Sequence, residues 1–225
     1  MSITVGAPRG EVSLGRQAGI GLGAAVAYLL VRGAVSATDG RAQSNADAVA
    51  RLEGSLGLRE FVTTNAFVAD ASEWLYTWGH WLAAAAMLVW LARRQPALYY
   101  RARDTMLLTA GVAVFVFVVF PVAPPDLGGG LASLPSLDAG WDVVLGLSVA
   151  AAAGRAWVRA AGAGLAALMA WSVELTGHHY LLDVLAGAAL AGGAWLFVRA
   201  RRRPQRLRGY AGWDGLDLHK TDNAE

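Results

Sequence analysis

Six apolar segments separated by polar turns constrain this chain more than any other feature. They cover residues 19–31, 74–93, 105–122, 141–153, 157–175 and 180–198. With their flanks they are long enough to cross a hydrocarbon layer as helices, the fourth being somewhat short. Helix is the expected form because backbone amides inside lipid must find partners within their own segment. At 56% hydrophobic and 16% charged residues, with mean hydropathy +0.40, the chain is too apolar for an ordinary soluble domain. The expected class is an all-α integral membrane protein, a six-transmembrane-helix bundle over 17–203. Residues 1–16 are read as a cytoplasmic N-terminus and 204–225 as a disordered cytoplasmic tail.

Charge sets the orientation. Eighteen of the nineteen basic residues are arginine, and they cluster beside apolar segments, a topology signal with no nucleic-acid partner implied. With a cytoplasmic N-terminus, fifteen basic residues fall inside, and only Arg32, Arg41, Arg51 and Arg59 fall outside. The inner arginines, Arg101 and Arg103 included, are assigned to anionic lipid headgroups. Trp74, Trp78, Trp81 and Trp141 then sit near the outer interface, Trp90 and Trp157 near the inner one. Residues 48–67 carry Leu52, Leu56, Leu58, Phe61 and Val62 among charges, which predicts an amphipathic helix on the bilayer surface. Ala34-Val-Ser-Ala37 reads equally as a cleavage site or as the end of an uncleaved signal anchor. The chain has no cysteine, so neither disulfide nor thiolate chemistry is available.

This orientation brings two outer turns together. The turn before the sixth segment reads Thr176-Gly-His-His-Tyr-Leu-Leu-Asp183, and ionisable groups at the mouth of an apolar segment are costly and usually functional. His179 and Asp183, four apart, allow an aspartate-oriented imidazole, suited to a nucleophile or a metal ligand. The plainer alternative is that His178 and His179 cap the helix among polar headgroups. The turn before the fourth segment reads Leu134-Pro-Ser-Leu-Asp-Ala-Gly-Trp-Asp142, with Ser136 as helix N-cap and Asp138 and Asp142 on one face. Two helix N-termini aimed at one cavity would suit a phosphate, and aspartates there could equally just complement the helix dipole.

Together with Tyr76-Thr-Trp-Gly-His-Trp81, Arg94-Gln-Pro-Ala-Leu-Tyr-Tyr-Arg101, Phe120-Pro-Val-Ala-Pro-Pro125, Pro135-Ser-Leu137 and His179-Tyr-Leu-Leu-Asp183, these turns resemble the type 2 phosphatidic acid phosphatase superfamily. The nearest resemblance is to its inositol phosphorylceramide synthase-like branch, over residues 73 to 187. It implies a six-helix enzyme acting on lipid or isoprenoid phosphate esters, in a bacterial plasma membrane and without a cofactor, and the arginine asymmetry turns its site outward. A second-motif histidine would protonate the leaving group, and His179, held by Asp183, would attack phosphorus. Ser136, His178 and His80 are then the expected substrate-binding residues.

Three positions depart from that pattern, all toward carboxylate. Asp138 stands where the family has its second-motif histidine, Asp126 where relatives carry arginine, and Asp142 at a usually apolar position. An unpaired carboxylate about 4 Å from a phosphate is repelled by roughly 4 kcal/mol at an effective dielectric near 20. A protonated Asp138 supplying the missing general acid would resolve this. Alternatively Asp138, Asp142 and Asp126 or Asp183 bind Mg²⁺ and the chain ionises a prenyl diphosphate, as a terpene synthase, cyclase or prenyltransferase would. A third possibility is a non-catalytic lipid-binding relative.

Overall fold

The computed structural model describes residues 12–34, 40–58, 65–125 and 133–202, and among them all regular structure is helical. The elements are α1 (Leu14–Ala34), α2 (Gly40–Ser55), α3 (Ala66–Trp74), a π-helical turn (Leu75–Gly79), α4 (His80–Arg94), α5 (Pro96–Val119), α6 (Leu137–Ala152), α7 (Ala156–Leu175) and α8 (Leu181–Arg201). Among the described residues four stretches are long and apolar enough to cross a membrane: Ala66–Arg94, Pro96–Val119, Ala156–Val173 and Leu181–Arg201. They mark the chain as an integral membrane protein. α1 holds a shorter apolar run, Gly15–Val31. α6, with 16 residues, reaches only about 24 Å at 1.5 Å per residue.

Helix boundaries follow local chemistry. Pro96 opens α5 at a first-turn position where its missing N–H costs nothing, so α5 starts nine residues ahead of the expected 105. The charges that mask this start in the sequence are partnered internally. Arg103 donates from Nε to Asp104 at 2.9 Å and from Nη1 to Gln17 of α1 at 2.7 Å, Arg202 pairs with Asp104, and the Arg101 guanidinium lies over Trp195, 5.5 Å from the ring centroid. These side chains tie α1, α5 and α8 together. Gly177 follows α7 at φ +73°, the left-handed conformation in which a helix commonly ends.

α6 is the hub. Val144 is fully buried among Leu91 of α4, Ala102 and Met106 of α5, and Ala191 and Trp195 of α8. Against α7 the backbones meet closely: a Cβ on Gly146 would lie 2.6 Å from Ala166 Cβ, and one on Gly162 2.5 Å from Val149 Cγ1. Small residues permit that approach where lipid offers no hydrophobic drive.

The surface helix expected at 48–67 is corrected: α2 runs from Gly40 to Ser55 and stops at a turn with Gly57 at φ +68°, and Ala66 and Phe67 open α3, while 59–64 lie outside the described residues, as do 1–11, 35–39, 126–132 and the tail from 203. The spacing of α2 explains its seat. Ala42, Ala46 and Val49 form an i, i+4, i+7 stripe buried against Val122 and Ala123, with Leu134, Tyr180 and Leu182 at the margin. Ala123 N donates to Ala42 O at 3.1 Å, and Asn45 Nδ2 to Pro121 O at 2.8 Å. α2 is therefore a strap across the end of the bundle from which α6 and α8 start.

Candidate active site

The turn before α8 places its two histidines on different neighbours. His178 Nε2 lies 3.1 Å from Glu73 Oε2, and its ring sits 5.2 Å from that of Tyr76. His179 Nδ1 lies 3.5 Å from Asp183 Oδ2. His179 precedes the helix, so the pair is made by a cap and not by a shared helical face. Tyr180 is the N-cap, and its backbone N–H donates to Asp183 Oδ2 at 3.0 Å, turning the carboxylate back toward the preceding residue. Asp183 is fully buried, and its other oxygen has no hydrogen-bond partner among the described residues.

The turn before α6 is locked to the same place. Ser136 caps α6 by accepting from Ala139 N at 3.3 Å, and its own N–H donates to the carbonyl of Asp183 at 2.9 Å. Gly187 makes room for this, since a Cβ there would stand 2.0 Å from the Ser136 carbonyl oxygen. Ser136, expected to touch substrate, is fully buried, with its hydroxyl occupied by the cap.

His80 fills the space behind. It is 3% exposed, with Nδ1 2.7 Å from Asp142 Oδ1 and Nε2 3.7 Å from Asp138 Oδ1. The short contact is a hydrogen bond; the long one is not. His80 is the first residue after the π-helical turn, whose extra residue advances the register of α4. Asp142 is buried and Asp138 partly exposed, its side chain at 27%. The two aspartates share a helix face as their spacing predicts, and the imidazole between them carries their interaction.

Glu53 belongs to this region and sequence reasoning missed it. Its side chain is buried and its Oε1 accepts from Leu182 N at 2.7 Å. Two backbone amides at the start of α8, those of the N-cap Tyr180 and of Leu182 in the first turn, are therefore capped by the chain's own carboxylates, where a substrate phosphate was expected. A signal was present: Glu53 continues the inward stripe of Ala42, Ala46 and Val49.

The carboxylates proposed for Mg²⁺ are divided. Asp142 is bonded to His80 of α4, Asp183 caps α8, and Asp126 lies outside the described residues. Among the described residues no three His, Cys, Asp or Glu side chains gather at metal-binding distance. The geometry supplies a partly buried histidine paired with a carboxylate in the turn before α8, and at the mouth of α6 a carboxylate that faces a second imidazole. Such a set can attack an electrophile and move a proton. A family model described as PAP2 superfamily matches residues 44–128 and 126–197. No curated protein and no solved structure matches the chain.

Proposed function

The chain belongs to the PAP2 superfamily, a family of membrane enzymes of the phosphatase type, and from that premise we propose that it breaks phosphate esters of lipids or isoprenoids. The observation that supports this reading is the lock between the two turns, Ser136 N–H to Asp183 C=O at 2.9 Å, which joins the start of α6, where Asp138 stands, to the first turn of α8, whose Asp183 pairs with His179. His179 is the nucleophile and Asp183 orients its ring. His179 attacks phosphorus, the bond to the leaving oxygen breaks, and the proton of Asp138 goes to that oxygen. Water then attacks the phosphohistidine, the P–N bond breaks, and the water's proton returns to Asp138. An alcohol acceptor in place of water makes the same site a phosphotransferase, as the inositol phosphorylceramide synthase-like motifs suggest.

Around the site we read six spans, with α1 and α6 as the first and fourth, both termini cytoplasmic and the site facing outward. Support comes from the arginine asymmetry and from the tryptophans near the outer end. His178, at the rim with Glu73, is placed to meet the headgroup.

Purified protein with lipid phosphates and prenyl diphosphates, in Mg²⁺ or EDTA, tests the reading. Orthophosphate release that survives EDTA and vanishes in His179→Ala, together with an acid-labile phosphoprotein, is expected. Turnover unaffected by His179→Ala would end the nucleophile assignment. Pyrophosphate and a hydrocarbon formed only with Mg²⁺ would replace the reading with metal-dependent ionisation.

A further inference from the structure

We infer that His80, held by Asp142, is a positioning residue whose free ring nitrogen stabilises the Asp138 carboxylate, and that this buried support lets Asp138 stand in for the histidine which the second motif lacks. The inference rests on the phosphate-ester reading above. Three observations carry it. Asp142 is a fully buried carboxylate in an apolar helix, and its Oδ1 is satisfied by His80 Nδ1 at 2.7 Å. A buried carboxylate is tolerable only when paired, and an imidazolium is the pair that leaves no net charge. That hydrogen bond fixes the ring and turns its other nitrogen away. His80 Nε2 is buried, has no hydrogen-bond partner among the described residues, and faces Asp138 Oδ1 at 3.7 Å, just short of a bond. Finally, the π-helical turn ends at Gly79, directly before His80, and such turns often mark functional positions.

In the proposed reaction Asp138 gives its proton to the leaving oxygen, a negative charge appears on its carboxylate, and the N–H of His80 Nε2 donates to that charge. When water's proton returns to Asp138, that hydrogen bond relaxes. His80 keeps both of its protons throughout, so it is a positioning residue, and Asp138 is the catalytic one. An N–H waiting for a charge that appears only during the reaction stabilises the transition state more than the ground state.

The test is a double-mutant cycle on the full chain in detergent, with phosphatidic acid, a poor leaving group, and 4-nitrophenyl phosphate, a good one. His80→Asn should lower kcat on phosphatidic acid about 100-fold, the usual scale of general-acid assistance, with KM little changed. The same variant should lose less than about 5-fold on 4-nitrophenyl phosphate, whose leaving group needs no proton. Asp138→His restores a histidine at the second motif, and in that background the effect of His80→Asn should nearly vanish. Should His80→Asn fail to fold, Asp142→Asn serves instead, since it keeps an acceptor for Nδ1 and removes the charge. Equal losses on both substrates and in both backgrounds would make His80 structural and overturn this inference alone. Wild-type protein that turns over no phosphate ester would overturn the proposed function and this inference with it.

Discussion

Ser136 donates its backbone N–H to the carbonyl oxygen of Asp183 at 2.9 Å, and this one hydrogen bond ties together two motifs 47 positions apart in the chain. The loop before α6 cannot move without the first turn of α8. Because Asp183 is also the carboxylate beside His179, the position of that ring, the proposed nucleophile, depends on backbone contacts of Ser136. The site is built on two helix N-termini pressed together, which holds reacting groups more firmly than exposed loops would.

Gly187 is the residue that permits this contact, so Gly187→Ala should be severe. The added Cβ would stand 2.0 Å from the Ser136 carbonyl oxygen and 2.9 Å from its carbon, where backbone must shift. Overpacking of this kind costs about 1–3 kcal/mol. Activity should fall with stability, because the shift separates Ser136 from Asp183. A thermal melt unchanged from wild type, with full turnover, would show that the two turns separate without cost. Gly192→Ala on the same helix, with open space around its Cβ position, is the control and should melt like wild type.

Asp138 should respond to substitution in opposite directions. Asp138→Asn removes the proton and should depress kcat by about 100-fold or more on a poor leaving group. Asp138→His supplies a proton donor and should recover most of the activity or exceed it. A carboxylate serving as a metal ligand would behave otherwise, losing activity with either substitution and gaining it back with added Mg²⁺. Comparing kcat for both variants with and without the metal decides between them.

How much of this was legible in the sequence differs by residue. The apolar segments are readable because lipid imposes one requirement on all of them, a long run without charge, and His179 and Asp183 stand out because they break that rule at a segment's edge. The family match over 44–197 agrees with the motif reading. The setting of His80 is not readable. Its neighbours depend on which way α4 faces, and the π-helical turn shifts that face by a residue that no hydrophobic period reveals. The start of α5 is hidden for a different reason: Arg101, Arg103 and Asp104 look like a polar turn until Gln17, Trp195 and Arg202 are placed around them.

His178 and His179, adjacent in sequence, should differ sharply in function. His178 pairs with Glu73 at 3.1 Å in a largely exposed setting, where an ion pair is worth about 0–1 kcal/mol. His178→Ala should therefore leave stability nearly intact and act mainly on KM, while His179→Ala removes turnover altogether. Steady-state kinetics on both variants separates the roles. A loss of kcat in His178→Ala as deep as that in His179→Ala would mean that the two histidines work as a unit.

Glu53 gives α2 a stake in the site. Its carboxylate, buried beneath the strap, accepts from Leu182 N at 2.7 Å, one residue before Asp183. A carboxylate on a first-turn amide is favoured by the helix dipole, and a hydrogen bond to a charged group contributes about 1.5–3 kcal/mol. Glu53→Ala leaves that amide without its cap and frees the strap from α8, while Ala42 and Asn45 still hold its other end. The expected result is a lower melting temperature together with faster proteolysis between α2 and α3, and a KM change from the loosened roof. Glu53→Gln keeps an oxygen for the amide and should fall between. If Glu53→Ala matches wild type in melting and in proteolysis, the strap is held by its alanine stripe alone, and the carboxylate contributes nothing to seating α8.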